Sequence, residues 1–496
     1  MKNKKIILLA IAIILVIISA VSCQYVTTAF LISPGSQQGS ENQPENPTPD
    51  VDKPVEPTPD QTANQPEQNE NVVYISASKL NVRETAAKDA KVLDSLIKGT
   101  PVTIKEEKTD EANMIWYNIE YENGTQPVNG WITAEYTVKD RMELLDESLR
   151  NLDLSPQDKA QYPNNPPVEV RGVYVTLYSA SGARLDQLIE MSKRTKINAF
   201  VIDVKDDNGN MLFATEAAAQ YSPEANKKAP IKDIKAFMQK LKDNNIYAIA
   251  RIVSFKDPAY TKLHPDKAII YKATGQPFTN SDGLIWASAH DRDLWQYILS
   301  VAKEAAEAGF NEIQFDYVRF PASNGGKLDK ELDYRNATGE SKPETIQNYL
   351  KEARKQLSPL GVYISADIYG LVGSVSDDMA LGQYWEAVSN VVDYVCPMMY
   401  PSHYANGTYG LPVPDAYPYE TIYHSTKDSV NRNKNIQTPA IIRPWIQDFT
   451  AAWVKGHIKY GVPELEKQIK ALDENGVKEY LLWNAGNRYS EGAILK

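Results

Sequence analysis

In this chain of 496 residues, the side chains best suited to chemistry stand where apolar runs stop. Ala199 to Val204 carries Asp203 and leads into Lys205, and Glu312 to Tyr317 carries Gln314 and Asp316, with Arg319 just beyond. Tyr363 to Ile368 carries Ser365 and Asp367, and Ile441 to Ile446 carries Arg443 and Trp445 ahead of Gln447 and Asp448. A carboxylate at the end of a buried strand costs several kcal/mol of desolvation unless donors or a cation face it. Three such acids therefore point to a site. Period-two geometry puts Gln314 with Asp316, and Ser365 with Asp367, on one face each. If the two runs are neighbours, the acids meet over one opening. Hydrolysis of a glycosidic bond needs such a pair, one carboxylate as nucleophile or water-activating base and one carboxyl kept protonated as acid. On this reading Asp316 is the nucleophile or base and Asp367 the acid. Asp203, Lys205, Arg251, Arg319, Tyr400, Arg443, Trp445 and Trp483 are the substrate-binding candidates, the rings because the apolar face of a pyranose stacks on them. The alternative for the acids is structural ion pairing, Asp316 with Arg319 or Arg251 and Asp203 with Lys205. For the rings it is core packing. Asp-Asp-Asn-Gly at 206–209 is turn chemistry, and its acids are given no catalytic role.

The elements that must hold these residues alternate regularly. Strand candidates are Gly172 to Thr176, Ala199 to Val204, Tyr247 to Ser254, Glu312 to Tyr317, Tyr363 to Ile368, Tyr394 to Met399, Ile441 to Ile446 and Tyr480 to Asn484. Amphipathic runs lie between them at Leu185 to Lys193, Lys232 to Lys242, Leu294 to Ala308, Thr345 to Leu357, Ala380 to Val388, Tyr423 to Asn431 and Pro463 to Asn475. This is the pattern of a closed parallel barrel or a doubly wound sheet. Eight units favour an α/β fold of the (β/α)8 barrel type over residues 168–496, and no Gly-rich dinucleotide loop follows the first strand. Active sites of such barrels gather at the C-terminal ends of the strands, where the acids stand. The Gly-, Pro- and Tyr-rich stretch from Tyr404 to Tyr419 reads as a long loop able to wall the cleft. Upstream, short alternating runs at Val72 to Ile75, Leu80 to Arg83, Val102 to Glu106, Trp116 to Tyr121 and Gly130 to Ile132 predict a small all-β barrel.

Two resemblances extend these readings. Lys79-Leu80-Asn81-Val82-Arg83, Lys98-Gly99-Thr100-Pro101-Val102, Trp116-Tyr117-Asn118-Ile119 and Gly130-Trp131-Ile132 resemble the bacterial SH3-like domain, which implies binding to cell-wall peptide or glycan over residues 72–138. The other reading is a spacer whose Trp116 and Trp131 fill its core. Arg171-Gly172-Val173-Tyr174, Asn198 to Asp206, Glu312 to Pro321, Pro397 to Tyr404 and Leu482-Trp483-Asn484-Ala485 resemble a bacterial family grouped with the glycoside hydrolases of the large barrel clan. In the α-amylase-like barrels an aspartate nucleophile follows strand 4 and an acid follows strand 5, the positions of Asp316 and Asp367. Their arginine two residues before the nucleophile is Gln314 here. Chitinase-like barrels share the Met-x-Tyr of Met398-Met399-Tyr400 and a strand-8 tryptophan like Trp483, but their acid falls near Val318, so that mechanism does not carry over.

The remaining sequence bounds the setting. Lys2, Lys4 and Lys5 precede an apolar run from Ile6 to Ala20, so residues 1–33 read as a signal peptide, a lipoprotein signal lipidated at Cys23, or a transmembrane anchor. All three place the bulk of the protein outside the cytoplasmic membrane. Residues 34–71 form a Pro-rich acidic linker with a net charge of −7, leaving −4 of the total −11 to the rest. Without a basic stripe, nucleic acid is excluded as an expected partner. Residues 139–167 connect the two folded parts. Two cysteines and five scattered histidines give no disulfide framework and no zinc spacing, so neither metal nor organic cofactor is expected. The chain thus reads as a polysaccharide hydrolase of the cell envelope. Alternatives are a non-catalytic glycan-binding or envelope-organising protein that keeps the cleft, and a different hydrolase or lyase on the same fold.

Overall fold

The computed structural model describes residues 71–496 apart from Ser78, Gly124, Thr125, Asp140 and Ala160. The expected anchor, lipidation at Cys23 and the linker up to residue 70 lie outside the described residues. Among the described residues no helix is long and apolar enough to cross a membrane.

Residues 72–138 form an antiparallel sheet of seven strands around Val73, Ile75, Leu80, Val82, Val102, Ile119 and Ile132. The alternation of Val73 and Ile75, and of Leu80 and Val82, puts one face of each strand inside. Trp116 is buried and donates its indole N–H to Asp110 at 2.9 Å, so it serves the fold, while Trp131 is half-buried. The edge strand Val92–Ile97 was not among the expected runs: it exposes Val92, Leu93 and Ile97, and has no clean period.

The rest of the chain is the barrel. Its strands are β1 (Arg171–Val175), β2 (Ala199–Lys205), β3 (Tyr247–Val253), β4 (Glu312–Asp316), β5 (Tyr363–Tyr369), β6 (Tyr394–Met399), β7 (Trp445–Gln447, with Ile441–Ile442 leading in) and β8 (Tyr480–Trp483). Each pairs in parallel with the next, and β8 returns to β1, closing the ring. Among the described residues, seven intervening helices have seven or more residues: α1 (Ala183–Arg194), α2 (Ile234–Asp243), α3 (Arg292–Ala308), α4 (Lys342–Leu357), α5 (Trp385–Val391), α6 (Pro418–Asn433) and α7 (Val462–Glu474). Local chemistry sets their ends. Ser341 and Glu344 form a capping box that opens α4, and Gly309, at φ +108°, closes α3 in the left-handed conformation. Outward strand residues such as Val173, Phe200, Ile202, Ile313 and Ala366 pack on the helices, and inward ones such as Val201, Ile249, Cys396 and Leu481 fill the barrel. Both faces are buried, which is why these strands read as continuous apolar runs.

Two expected substrate contacts are corrected by this architecture. Arg443 is at the opposite pole from the strand ends that carry the acids. Pro444 interrupts the seventh strand, Arg443 stands in the gap before β7, and its Nη1 donates to both oxygens of Glu312, the first residue of β4, at 2.8 Å. Its Nε donates to Glu479, just before β8, at 2.7 Å, and its guanidinium centre is 3.6 Å from the Tyr394 ring centroid. Lys205 is removed by a bulge. Asp203 pairs with Arg251, but the next pair is Lys205 with Ile252, so one extra residue turns Lys205 toward the helix layer. There it pairs with Asp257 at 2.9 Å and donates to the Val253 carbonyl at 2.7 Å.

Candidate active site

A cavity of about 730 Å³ opens among the C-terminal ends of the strands. Its organising group is Arg251 of β3, which is fully buried and stands opposite Asp203 on one side and Gln314 on the other. Nη1 donates to Asp203 at 2.5 Å, while Nε and Nη2 donate to one oxygen of Asp316 at 2.8 and 2.5 Å. A longer contact of 3.3 Å from Nη2 reaches Asp207. The guanidinium lies 5.5 Å from the Tyr174 ring centroid and 5.6 Å from that of Trp483. Gln314 therefore leaves no electrostatic gap at the position where amylase-like barrels carry arginine, because the neighbouring strand supplies one.

Each acid is held differently. Tyr174 donates its hydroxyl to Asp203 at 2.6 Å. Burial pushes Asp203 up to about 6, against the pull of Arg251. Asp316 accepts the backbone N–H of Tyr317 on its other oxygen at 2.6 Å. Tyr317 adopts φ +49°, a left-handed conformation costly for a bulky residue. Asp367 of β5 is 1% exposed and accepts the indole N–H of Trp445 at 2.7 Å. Burial, and then the charge of Asp316, raise its carboxyl well above the usual carboxylate range. Burial also works against ionisation of Asp207, but Arg251 and Lys256 outweigh it and hold Asp207 below its ordinary value. Lys256 in turn pairs with Asp282 at 2.7 Å. A carboxyl whose burial favours its protonated form, Asp367, thus lines the same cavity as Asp316, which is ion-paired to Arg251.

Of the residues expected to form the site, Asp203, Arg251, Asp316, Arg319, Asp367, Tyr400, Trp445 and Trp483 all line this cavity, and Lys205 and Arg443 do not. Of the alternative ion pairs, Asp316 with Arg251 is present, whereas Asp203 takes Arg251 in place of Lys205. The rings make a wall: Trp483 stacks on Tyr174 at 4.1 Å and meets Trp445 edge-on at 5.5 Å, with Tyr400 at 6.2 Å. His403, Tyr404 and Ala405, where the long loop after β6 begins, join the lining. The lining residues outside the expected set include Tyr174, Asp207, Lys256 and Tyr317. Tyr174 was detectable as the inward residue two beyond Gly172, and Asp207 was set aside as turn chemistry although only Asp206 makes that turn, accepting the N–H groups of Asn208 and Asn210. Lys256 and Tyr317 follow the ends of their strands and carry no periodic signal. Among the described residues, no group of three or more His, Cys, Asp and Glu side chains is arranged to hold a metal ion.

Comparison with known proteins follows the same division of the chain. Residues 172–489 match the family described as "Putative glycosyl hydrolase domain", and residues 78–138 match the bacterial SH3 domain. Among solved structures, a hypothetical protein from Ruminiclostridium thermocellum is 34% identical, with 39% of this chain and 96% of that one covered and a TM-score of 0.35. The glycoside hydrolase domain of PgaB from Bordetella bronchiseptica is 16% identical over 65% of this chain and 95% of that one, with a TM-score of 0.46. The spore cortex-lytic enzyme SleL of Bacillus megaterium is 11% identical over 66% and 75%, with a TM-score of 0.39. A search of curated proteins finds no match. Because the first of these matches spans the whole ring from β1 to β8 and more than half of the chain, the protein belongs to that glycosyl hydrolase domain family and carries a bacterial SH3 domain ahead of its barrel.

Proposed function

We propose that the protein is a glycosidase that cleaves a cell-envelope or extracellular polysaccharide with Asp367 as acid and Asp316 as nucleophile. The observation that carries this reading is the buried Asp367 carboxyl, held well above the usual carboxylate range by burial and then by Asp316, in one open cavity with that residue. Asp367 gives its proton to the glycosidic oxygen as the bond from that oxygen to the anomeric carbon breaks. Asp316 attacks the anomeric carbon to form a glycosyl ester. Water, deprotonated by the now ionised Asp367, then releases the sugar and restores both groups. The two residues stand one rung beyond the Phe315 and Ala366 pair of adjacent strands, and neighbouring strands are about 4.8 Å apart, which suits the close carboxyl spacing of retaining enzymes. Asp316→Asn should lower the release of reducing ends from wall polymers by at least ~10²-fold, and NMR of the first product should show retained anomeric configuration. Full activity in Asp316→Asn, or inverted product, would remove Asp316 from this role.

One observation favours a second reading, a glycan binder without turnover: Arg251 occupies one oxygen of Asp316 through two N–H groups. A chain that binds wall glycan but releases no reducing ends from any purified envelope polymer would establish that reading. The SH3 domain is read as the wall-binding module, and the Lys-flanked apolar run from Ile6 to Ala20 supports an extracytoplasmic protein held at the membrane.

A further inference from the structure

Three cations line the cavity, and two are matched. Arg251 is shared by Asp203, Asp207 and Asp316, and Lys256 by Asp207 and Asp282. Arg319 is the exception. It is 8% exposed and forms no ion pair among the described residues, and the hydrogen bond it makes runs from Nη1 to the Phe320 carbonyl at 2.9 Å. Three rings surround the guanidinium, Trp286 at 4.8 Å, Tyr317 at 5.3 Å and Tyr369 at 5.5 Å from the ring centroids. Cation–π contact returns part of the cost of taking this charge out of water, but uses none of its in-plane donors. A guanidinium fixed among rings, with N–H groups to spare and no carboxylate of its own, is a preformed fork for a flat or tetrahedral oxyanion.

We infer that Arg319 is the recognition group for an acidic sugar residue, one bearing a carboxylate or a phosphate, bound beside the Asp316 and Asp367 pair. The inference rests on the glycosidase reading only in taking the ligand to be a glycan. It makes the substrate an anionic polysaccharide and assigns Arg319 to specificity, with no part in bond cleavage. Binding to simple sugars tests it without turnover. The full chain would be titrated with glucuronate and glucose 6-phosphate against glucose, and with N-acetylmuramate against N-acetylglucosamine, followed by tryptophan fluorescence, since Trp286 lies against Arg319. At least one acidic sugar should bind about tenfold more tightly than its neutral parent, as a charge-assisted bidentate contact provides, and the carboxylate and phosphate pairs separate the two chemistries. Arg319→Gln should abolish that preference. Arg319→Lys keeps the charge without the fork and should lower the preference severalfold. Equal binding of acidic and neutral sugars in every pair overturns the inference, as does an undiminished preference in either variant. Failure of the hydrolase reading would look different, as unchanged hydrolysis by Asp316→Asn with the acidic preference intact.

Discussion

The buried carboxyl of Asp367 ties the stability of the fold to pH. Its burial and the adjacent Asp316 charge keep it protonated in the folded chain above the pH at which it ionises in the unfolded chain. Between those two values the folded state binds more protons, so stability falls as pH rises; the group's favourable contribution is complete below about pH 4 and is lost as pH climbs through the folded value. Asparagine at this position can still accept the Trp445 indole N–H but has no proton to lose. Asp367→Asn should therefore match the parent in urea near pH 4 and become progressively more stable than it toward pH 8, while its hydrolytic rate falls by ~10²-fold or more. Parallel stability curves across that range would mean that the carboxyl is ionised in the folded protein, and the acid role would go with it.

At the scale of the strand, position along the barrel decides whether a buried ion group belongs to chemistry or to the fold. Arg251 and Arg443 have the same residue type, similar burial and two acidic partners or more, yet one lies among the strand ends and the other at the opposite pole. Arg443→Ala leaves Glu312 and Glu479 charged without their partner, and should cost about 3–5 kcal/mol in urea unfolding. The folded fraction should hydrolyse its substrate at the parent rate, because Arg443 is absent from the cavity wall. A fall in kcat/KM with unchanged stability would return Arg443 to the site. The sequence could not separate the two arginines. Strand identity, and the meeting of Asp316 with Asp367, follow from apolar runs and period-two spacing, because both strands are regular. The second strand bulges beside Asp203, which turns Lys205 off the face a constant period gives it, and Arg443 keeps the inward face of Trp445 but stands two residues earlier on the seventh strand, nearer the opposite pole. A bulge is set by pairing across strands, so no local pattern encodes it. Tyr317 and Lys256 are hidden for a related reason, since only the chain turn after each strand brings them to the cavity.

Across the whole molecule, the SH3 domain and the barrel have separate cores. The SH3 domain closes on its own cluster of Val73, Ile75, Leu80 and their neighbours, and the cavity lining begins at Tyr174. What lies between belongs to the barrel. Leu149 and Leu152 are buried against Tyr384 and Ala387, Ser341 donates to the Ser148 carbonyl at 2.6 Å, and Gln347 of α4 accepts the Asp153 N–H at 2.8 Å. A cut that removes the SH3 domain must therefore spare this connector or it will unfold the barrel surface it covers. The chain starting at residue 139 should hydrolyse soluble oligosaccharides at the full-length rate. Against insoluble wall material it should lose the gain that two linked binding modules provide, with sedimentation of the protein down by about tenfold or more. If the shortened chain pellets with walls as well as the full one, the SH3 domain is a spacer and the barrel's own aromatic cavity supplies the attachment.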